Sequence, residues 1–307
     1  MVIVFVHGIF SSCAVFETLK KAIRGECPGP PRFVDFKYNF LDPLHTNAGA
    51  LNAHLAQTIQ EGEEVAIVAH SMGGLVSRMA LLTGHDDRSY HIRTLVMLAT
   101  PNHGAVKMSQ IHGIVGLLRS SVNKIPPLYS RSRGLDDLTR VNTIINDLFA
   151  SDGASIGRTK GVDYVTIPAL IYNEDAPTHG SGGQGFTAKV LGFIASISAH
   201  RGSLHLKLPH DGIVEETSVR MVSDAALYQT ERTRYSTDEG RKALGRTGNV
   251  HIIHPDLRTA NHVEIHSIPR VCALVAALLN SASIDAWKAS LDEDERNVLH
   301  LSNGGLI

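Results

Sequence analysis

Serine, aspartate and histidine can together turn a weak hydroxyl into a nucleophile, and the sequence offers few places where they could meet. Ser71 stands in Ala69-His70-Ser71-Met72-Gly73-Gly74. Before it, Val65 to Ala69 is a short apolar, β-branched run, the kind that forms a strand buried on both faces of a parallel sheet. After it, Met72 to Leu82 takes helical periodicity, with Leu75, Met79 and Leu82 on one stripe. A strand that turns at once into a helix strains its apex residue. It also needs small neighbours two positions away on either side so that the elements can approach. The expected result is a nucleophile elbow, with an exposed Ser71 hydroxyl at a strand tip and a helix N-terminus, where negative charge is stabilised. Two rival patterns exist, one over Ser130 to Gly134 and a strict Gly-x-Ser-x-Gly at Gly153 to Gly157. Ser155 of the second follows a helical stripe (Val141, Ile144, Ile145, Leu148, Phe149) and no buried strand, so it reads as a loop at a helix end.

A serine hydroxyl needs a base within hydrogen-bond reach, itself held by a third group. In the chain order Ser, Asp, His, the acid and base belong in loops after later strands. Asp211 lies in Pro209-His210-Asp211-Gly212-Ile213-Val214, where a turn delivers a carboxylate ahead of an apolar pair; an ordinary Asp-Gly turn is the plainer reading. Asp175, which follows a strand ending at Tyr172, is its rival. The chain has 17 histidines, so position must choose the base. His262 falls between the last expected sheet strand and the last long helix, with His254 and His266 as competitors. His70 is expected to point away from the elbow and His7 to brace its own loop. A tetrahedral oxyanion would need two donors: the backbone N–H of Met72 and that of Ile9, after His7-Gly8.

The elements that must carry these residues alternate. Val2 to Val6 reads as a strand, Val15 to Arg24 as a helix, Phe33 to Tyr38 as a strand and Ala48 to Gln60 as a helix. The elbow strand and its helix follow, then a strand at Ile92 to Ala99. This β-α order with short connections predicts an α/β fold, a mainly parallel sheet with helices on both faces. Alternation stops after Thr100-Pro101-Asn102-His103-Gly104. Residues 105–160 carry apolar residues at helical spacing and a Pro126-Pro127 break, and read as a helical cap or lid inserted between two strands. Helices that merely thicken the core are the alternative. Tyr164 to Tyr172 resumes the sheet and Asn249 to Ile253 is expected to be its last strand. Ser267-Ile268-Pro269 opens a helix to Asn280, with serine as cap and proline in the first turn. Ile284, Trp287, Leu291 and Val298 suggest a final packing helix. The glycines at 180, 182, 183 and 185 lack the strand-before, helix-after setting of a phosphate loop. No linker divides residues 1–307, which read as a single domain.

Composition narrows the function classes. With 29 basic and 30 acidic residues the net charge is −1, so nothing attracts phosphate backbones and no nucleic-acid partner is expected. No apolar run is long enough to span a bilayer, and no signal peptide is apparent, so the expected location is cytoplasmic. The three cysteines, Cys13, Cys27 and Cys272, have no zinc spacing and read as reduced thiols, a Cys13–Cys27 bridge being the minor alternative. Neither a metal nor a cofactor is expected.

Val6-His7-Gly8-Ile9, the 69–74 stretch, Thr100-Pro101-Asn102-His103-Gly104, Asp211-Gly212-Ile213-Val214 and Asn261-His262 together resemble the α/β-hydrolase superfamily. The closest likeness is to its bacterial-lipase and PGAP1-like esterase branch. It spans roughly residues 2–104 and 162–280; Ala69 stands where glycine is usual. The resemblance implies a cofactor-independent hydrolase of carboxylic esters, with a small-molecule or lipid acyl-ester substrate. Acyl transfer through the same intermediate, and a non-catalytic binding protein on the same fold, remain open. So does a metallohydrolase using His262, Glu264 and His266, although His-x-Glu-x-His is not the usual zinc-protease arrangement.

Overall fold

The computed structural model describes residues 1–9, 11–27, 29–84, 89–102, 162–169, 211, 214, 250–255 and 262–303. The proposed cap at 105–160, the 180–185 glycines, Ser155 and Asp175 lie outside them.

Among the described residues, seven strands form one sheet. They are β1 (Val2–Val6), β2 (Arg32–Phe36), β3 (Glu64–His70), β4 (His91–Leu98), β5 (Asp163–Ile167), β6 (Val250–Pro255) and β7 (Leu299–Asn303), in the order β2-β1-β3-β4-β5-β6-β7. All pairings are parallel except β6 with β7. The α-helices among the described residues are α1 (Glu17–Glu26), α2 (Leu44–Thr58), α3 (Met72–Thr83), α4 (Pro269–Asn280), α5 (Ile284–Ser290) and α6 (Glu293–Val298).

Because successive strand residues point to opposite faces, the central strands feed two cores. Val2, Val4 and Val6 of β1, with Val65, Ile67 and Ala69 of β3, pack against α2 and α3. Ile3 and Phe5, with Ala66 and Val68, face the other way onto α1 and α4. These strands are apolar on both sides because both sides are covered, as their sequence predicts.

Four expectations change. The first helix opens with a 3-10 turn over Cys13–Phe16 before α1 begins. α3 carries no single buried stripe. It is buried on every side except at Met79 and Thr83, because it lies between α2 and the strand ends. Ser267 is not the cap of α4. It sits in a 3-10 turn with its Oγ donating to the Glu264 carbonyl (2.9 Å), and Ile268 is the capping residue ahead of Pro269. The C-terminal region forms not one packing helix but α5, α6 and the antiparallel edge strand β7, so β6 is not the last strand. Asp292 and Glu295 form a reciprocal capping box that starts α6 afresh after α5. All three cysteines are free thiols. Cys13 is buried, with Sγ 3.4 Å from the Phe5 carbonyl oxygen and 3.3 Å from that of Phe36. Burial pushes its thiol up to about 12.

Candidate active site

Ser71 joins β3 to α3 with φ 52° and ψ −127°, a left-handed conformation that a serine adopts only when its surroundings impose it. Those surroundings are visible. The Ser71 N–H donates to the Leu98 carbonyl of β4 (2.9 Å), and its own carbonyl accepts from Gly74 N–H (3.0 Å). At Gly73, a Cβ would collide with the carbonyl oxygens of Val6 and His7. The small residue two after the serine is therefore required by the exit of β1, which passes under the first turn of α3. Gly8 is the counterpart: a Cβ there would lie 2.9 Å from Ser71 Cβ and 3.0 Å from His70 Nδ1. The elbow is not open to solvent as expected. Ser71 is 5% exposed, packed between Gly8 and the His262 ring.

Three side chains from distant parts of the chain converge there. His262 Nε2 is 2.8 Å from Ser71 Oγ, and its Nδ1 is 2.7 Å from Asp211 Oδ2. A carboxylate can only accept, so Nδ1 carries the proton and Nε2 presents a lone pair to the serine hydroxyl. Asp211 is fully buried and fixed by its own turn. Its Oδ1 accepts from Val214 N–H (2.7 Å), and its N–H donates to the Val214 carbonyl (3.1 Å). Val214 anchors that turn in the core on the α2–α3 face. The Asp211 carbonyl also accepts from the backbone N–H of His262 (3.1 Å), so Asp211 holds both the ring and the main chain of His262.

Met72 and Ile9, the two expected backbone donors, belong to the segments that meet at the elbow. Met72 is the first residue of α3, where an N–H has no partner within the helix. Ile9 follows Gly8, which touches the elbow directly. The β1 exit is pinned: Tyr38 Oη donates to the His7 carbonyl (2.7 Å), its ring stacks on His7 at 4.5 Å, and His7 Nδ1 lies 2.8 Å from the Gly8 carbonyl. His7 thus braces its own loop.

Structural neighbours share this architecture. Phospholipase PlaB from Legionella pneumophila superposes with a TM-score of 0.59 at 16% identity, over 97% of this chain and 63% of that one. The metagenomic carboxyl esterase MGS0156 gives 0.54 at 14% identity, over 90% of this chain and 74% of that one. The product of gene lin2722 from Listeria innocua gives 0.50 at 12%, over 96% of both. The chain has the α/β-hydrolase fold. It spans less than two thirds of the Legionella phospholipase. A family model described as a domain of unknown function, DUF7379, matches residues 1–126. No curated protein matches the sequence.

Within the hydrolase fold, the competing histidines separate by place. His254 lies in β6. His266 is in the 3-10 turn before α4, its ring 5.1 Å from that of His70; burial, with the neighbouring His262, holds it down to about 4. His70 does not simply point away: its Nε2 lies 2.8 Å from the His262 carbonyl oxygen. Burial, then the nearby His262, His266 and His7, hold it well below the usual histidine range. Strand alternation carried this signal. Ala69 faces the α2–α3 core, so His70 must face the other side, where the 262–268 segment runs.

Sequence reasoning also missed Arg78. It is fully buried in α3, with Nη1 donating to Asn102 Oδ1 (3.1 Å) and to the Asn102 carbonyl (3.4 Å). It thereby ties the elbow helix to the loop leaving β4, where Ala99 takes φ 49°. Among the described residues no group of three His, Cys, Asp or Glu side chains could hold a metal ion. Both ring nitrogens of His262 are taken by Ser71 and Asp211, which leaves none for the metal set with Glu264 and His266. Nor, among them, is any single helix long and apolar enough to cross a membrane.

Proposed function

We propose that the chain is a serine hydrolase that cleaves carboxylic esters through an acyl-enzyme, of esterase or lipase type. The observation that carries the reading is the unbroken line from Asp211 Oδ2 through the His262 ring to Ser71 Oγ, at 2.7 and 2.8 Å, ending on a serine held at positive φ. Named neighbours that share the fold include a phospholipase and a carboxyl esterase, which supports an acyl-ester substrate.

In this mechanism Ser71 Oγ attacks the ester carbonyl carbon as its proton passes to His262 Nε2. Asp211 stabilises the resulting imidazolium without taking the proton itself. The carbonyl oxygen, now an oxyanion, is met by the N–H groups of Met72 and Ile9. Collapse of the tetrahedral intermediate expels the alcohol, which takes the proton from Nε2. Water then repeats the sequence on the acyl-enzyme, releasing the acid and restoring the serine.

The test is turnover of p-nitrophenyl esters of rising chain length by the native protein and by Ser71→Ala. Native protein is expected to hydrolyse them, and Ser71→Ala to lose about 10⁶-fold in kcat, the scale of nucleophile loss in serine proteases. A Ser71→Ala protein that keeps most of the activity rules the mechanism out. Peak activity on short chains marks an esterase and on long ones a lipase.

A further inference from the structure

We propose that His70, the residue before the serine, is a positioning residue that ties the nucleophile strand to the backbone of the base. The inference rests on the reading of Ser71, Asp211 and His262 as catalytic.

His70 ends β3, and its side chain reaches a carbonyl 192 residues further along the chain. That carbonyl can only accept, so Nε2 carries the proton and the imidazole is the Nε2–H tautomer. Nδ1 is buried with no hydrogen-bond partner among the described residues, and it faces the Gly8 methylene, where a Cβ would stand 3.0 Å away. A second proton would therefore meet no acceptor. Among the described residues, the titratable groups around the ring are His262 and His266, from the segment before α4, and His7, just after β1. Each adds positive charge when protonated. A neutral His70 thus avoids opposing the imidazolium that His262 must become during turnover.

The consequence is mechanical. Asp211 holds the backbone N–H of His262, and His70 holds its backbone carbonyl. The base is gripped from the acid's residue on one side and from the nucleophile's immediate neighbour on the other. His70 also packs its ring 5.0 Å from the His262 ring. Any drift of β3 relative to the 262–268 segment is resisted at the point where Nε2 must meet Oγ.

The experiment compares His70→Leu, which removes the donor, with His70→Gln, whose amide can place an N–H where Nε2 stands. kcat is normalised to sites titrated with a fluorophosphonate, so that misfolded protein does not count. His70→Leu is expected to lose about 10²-fold in kcat per titrated site, the scale of a 1 Å misplacement. KM should change little, and His70→Gln should recover most of the loss. Native kcat per site in His70→Leu overturns the inference, as does a glutamine variant as impaired as the leucine one. Should neither variant fold, ¹⁵N-histidine NMR of the native protein decides: His70 is expected as the neutral Nε2–H tautomer at pH 6, and a protonated or Nδ1–H ring overturns it. Ser71→Ala, run alongside, separates the two failures. If it stays active, the catalytic reading falls. If it is inactive while His70→Leu turns over normally, only the role of His70 falls.

Discussion

The decisive residue-scale fact is which carboxylate meets His262. Asp211 Oδ2 is 2.7 Å from its Nδ1, while Asp175 lies outside the described residues. An amide in place of the Asp211 carboxylate would no longer fix the Nδ1–H tautomer and would give no charge to stabilise the imidazolium. Asp211→Asn is therefore expected to lower kcat about 10⁴-fold, as the equivalent change does in a serine protease. Asp175→Asn should leave it near native, and steady-state ester kinetics on both variants rank them. The candidates Ser71, Asp211 and His262 were legible because each follows a strand or turn signal in the chain order that such a set requires. For His70, strand alternation gives the face of the sheet but not the partner, and for Arg78 the sequence gives neither. Their roles depend on partners 192 and 24 residues away, and one sequence records no such distance. The burial of Ser71 was likewise out of reach, since local pattern places a residue at a strand tip without saying what closes over it.

At the scale of elements, the elbow works because a strand and a helix approach more closely than side chains normally allow. Gly73 makes this testable. Its hydrogen faces two backbone carbonyls that cannot swing aside, so Gly73→Ala must shift β1 or α3. It is expected to lose about 1–3 kcal/mol of stability, the usual cost of overpacking, along with esterase activity. Gly49, in the middle of α2, is the control: a Cβ there meets nothing within 4 Å. Gly49→Ala should stabilise by about 0.5–1 kcal/mol through helix propensity. Urea unfolding of both variants checks the opposite signs. Periodicity revealed the strands and helices through β4 because apolar runs and stripes there are long. It failed at the C-terminus, where Leu299-His300-Leu301 is too short to distinguish an edge strand from a helix end. It also mistook α3 for a one-sided helix, because a helix covered on nearly every side shows a stripe only by accident.

Across the whole molecule, the two-sided sheet buries histidines as well as apolar residues, which makes stability depend on pH. His266 is held down to about 4 and His70 well below its ordinary value, in both cases chiefly by burial. An unfolded chain takes up these protons near pH 6.5, whereas the folded one resists until far lower. Stability should thus be full above about pH 6.5 and fall as the pH drops towards the folded values, His266 alone accounting for on the order of 3 kcal/mol by pH 4. Urea unfolding from pH 7.5 to 4.5 should show the decline, and His266→Phe should flatten it; an unchanged slope would contradict the assignment. The fold was legible because alternation of strands and helices is a property of long stretches. The convergence of residues 71, 211 and 262 is a property of the whole sheet, and it is the central claim. Its most direct measurement is covalent labelling with a fluorophosphonate, mapped by peptide mass spectrometry. One phosphonyl group on Ser71, absent in Ser71→Ala and formed far more slowly in His262→Ala, is the expected result. An unlabelled native protein, or a label on the peptide containing Ser155, would contradict the account.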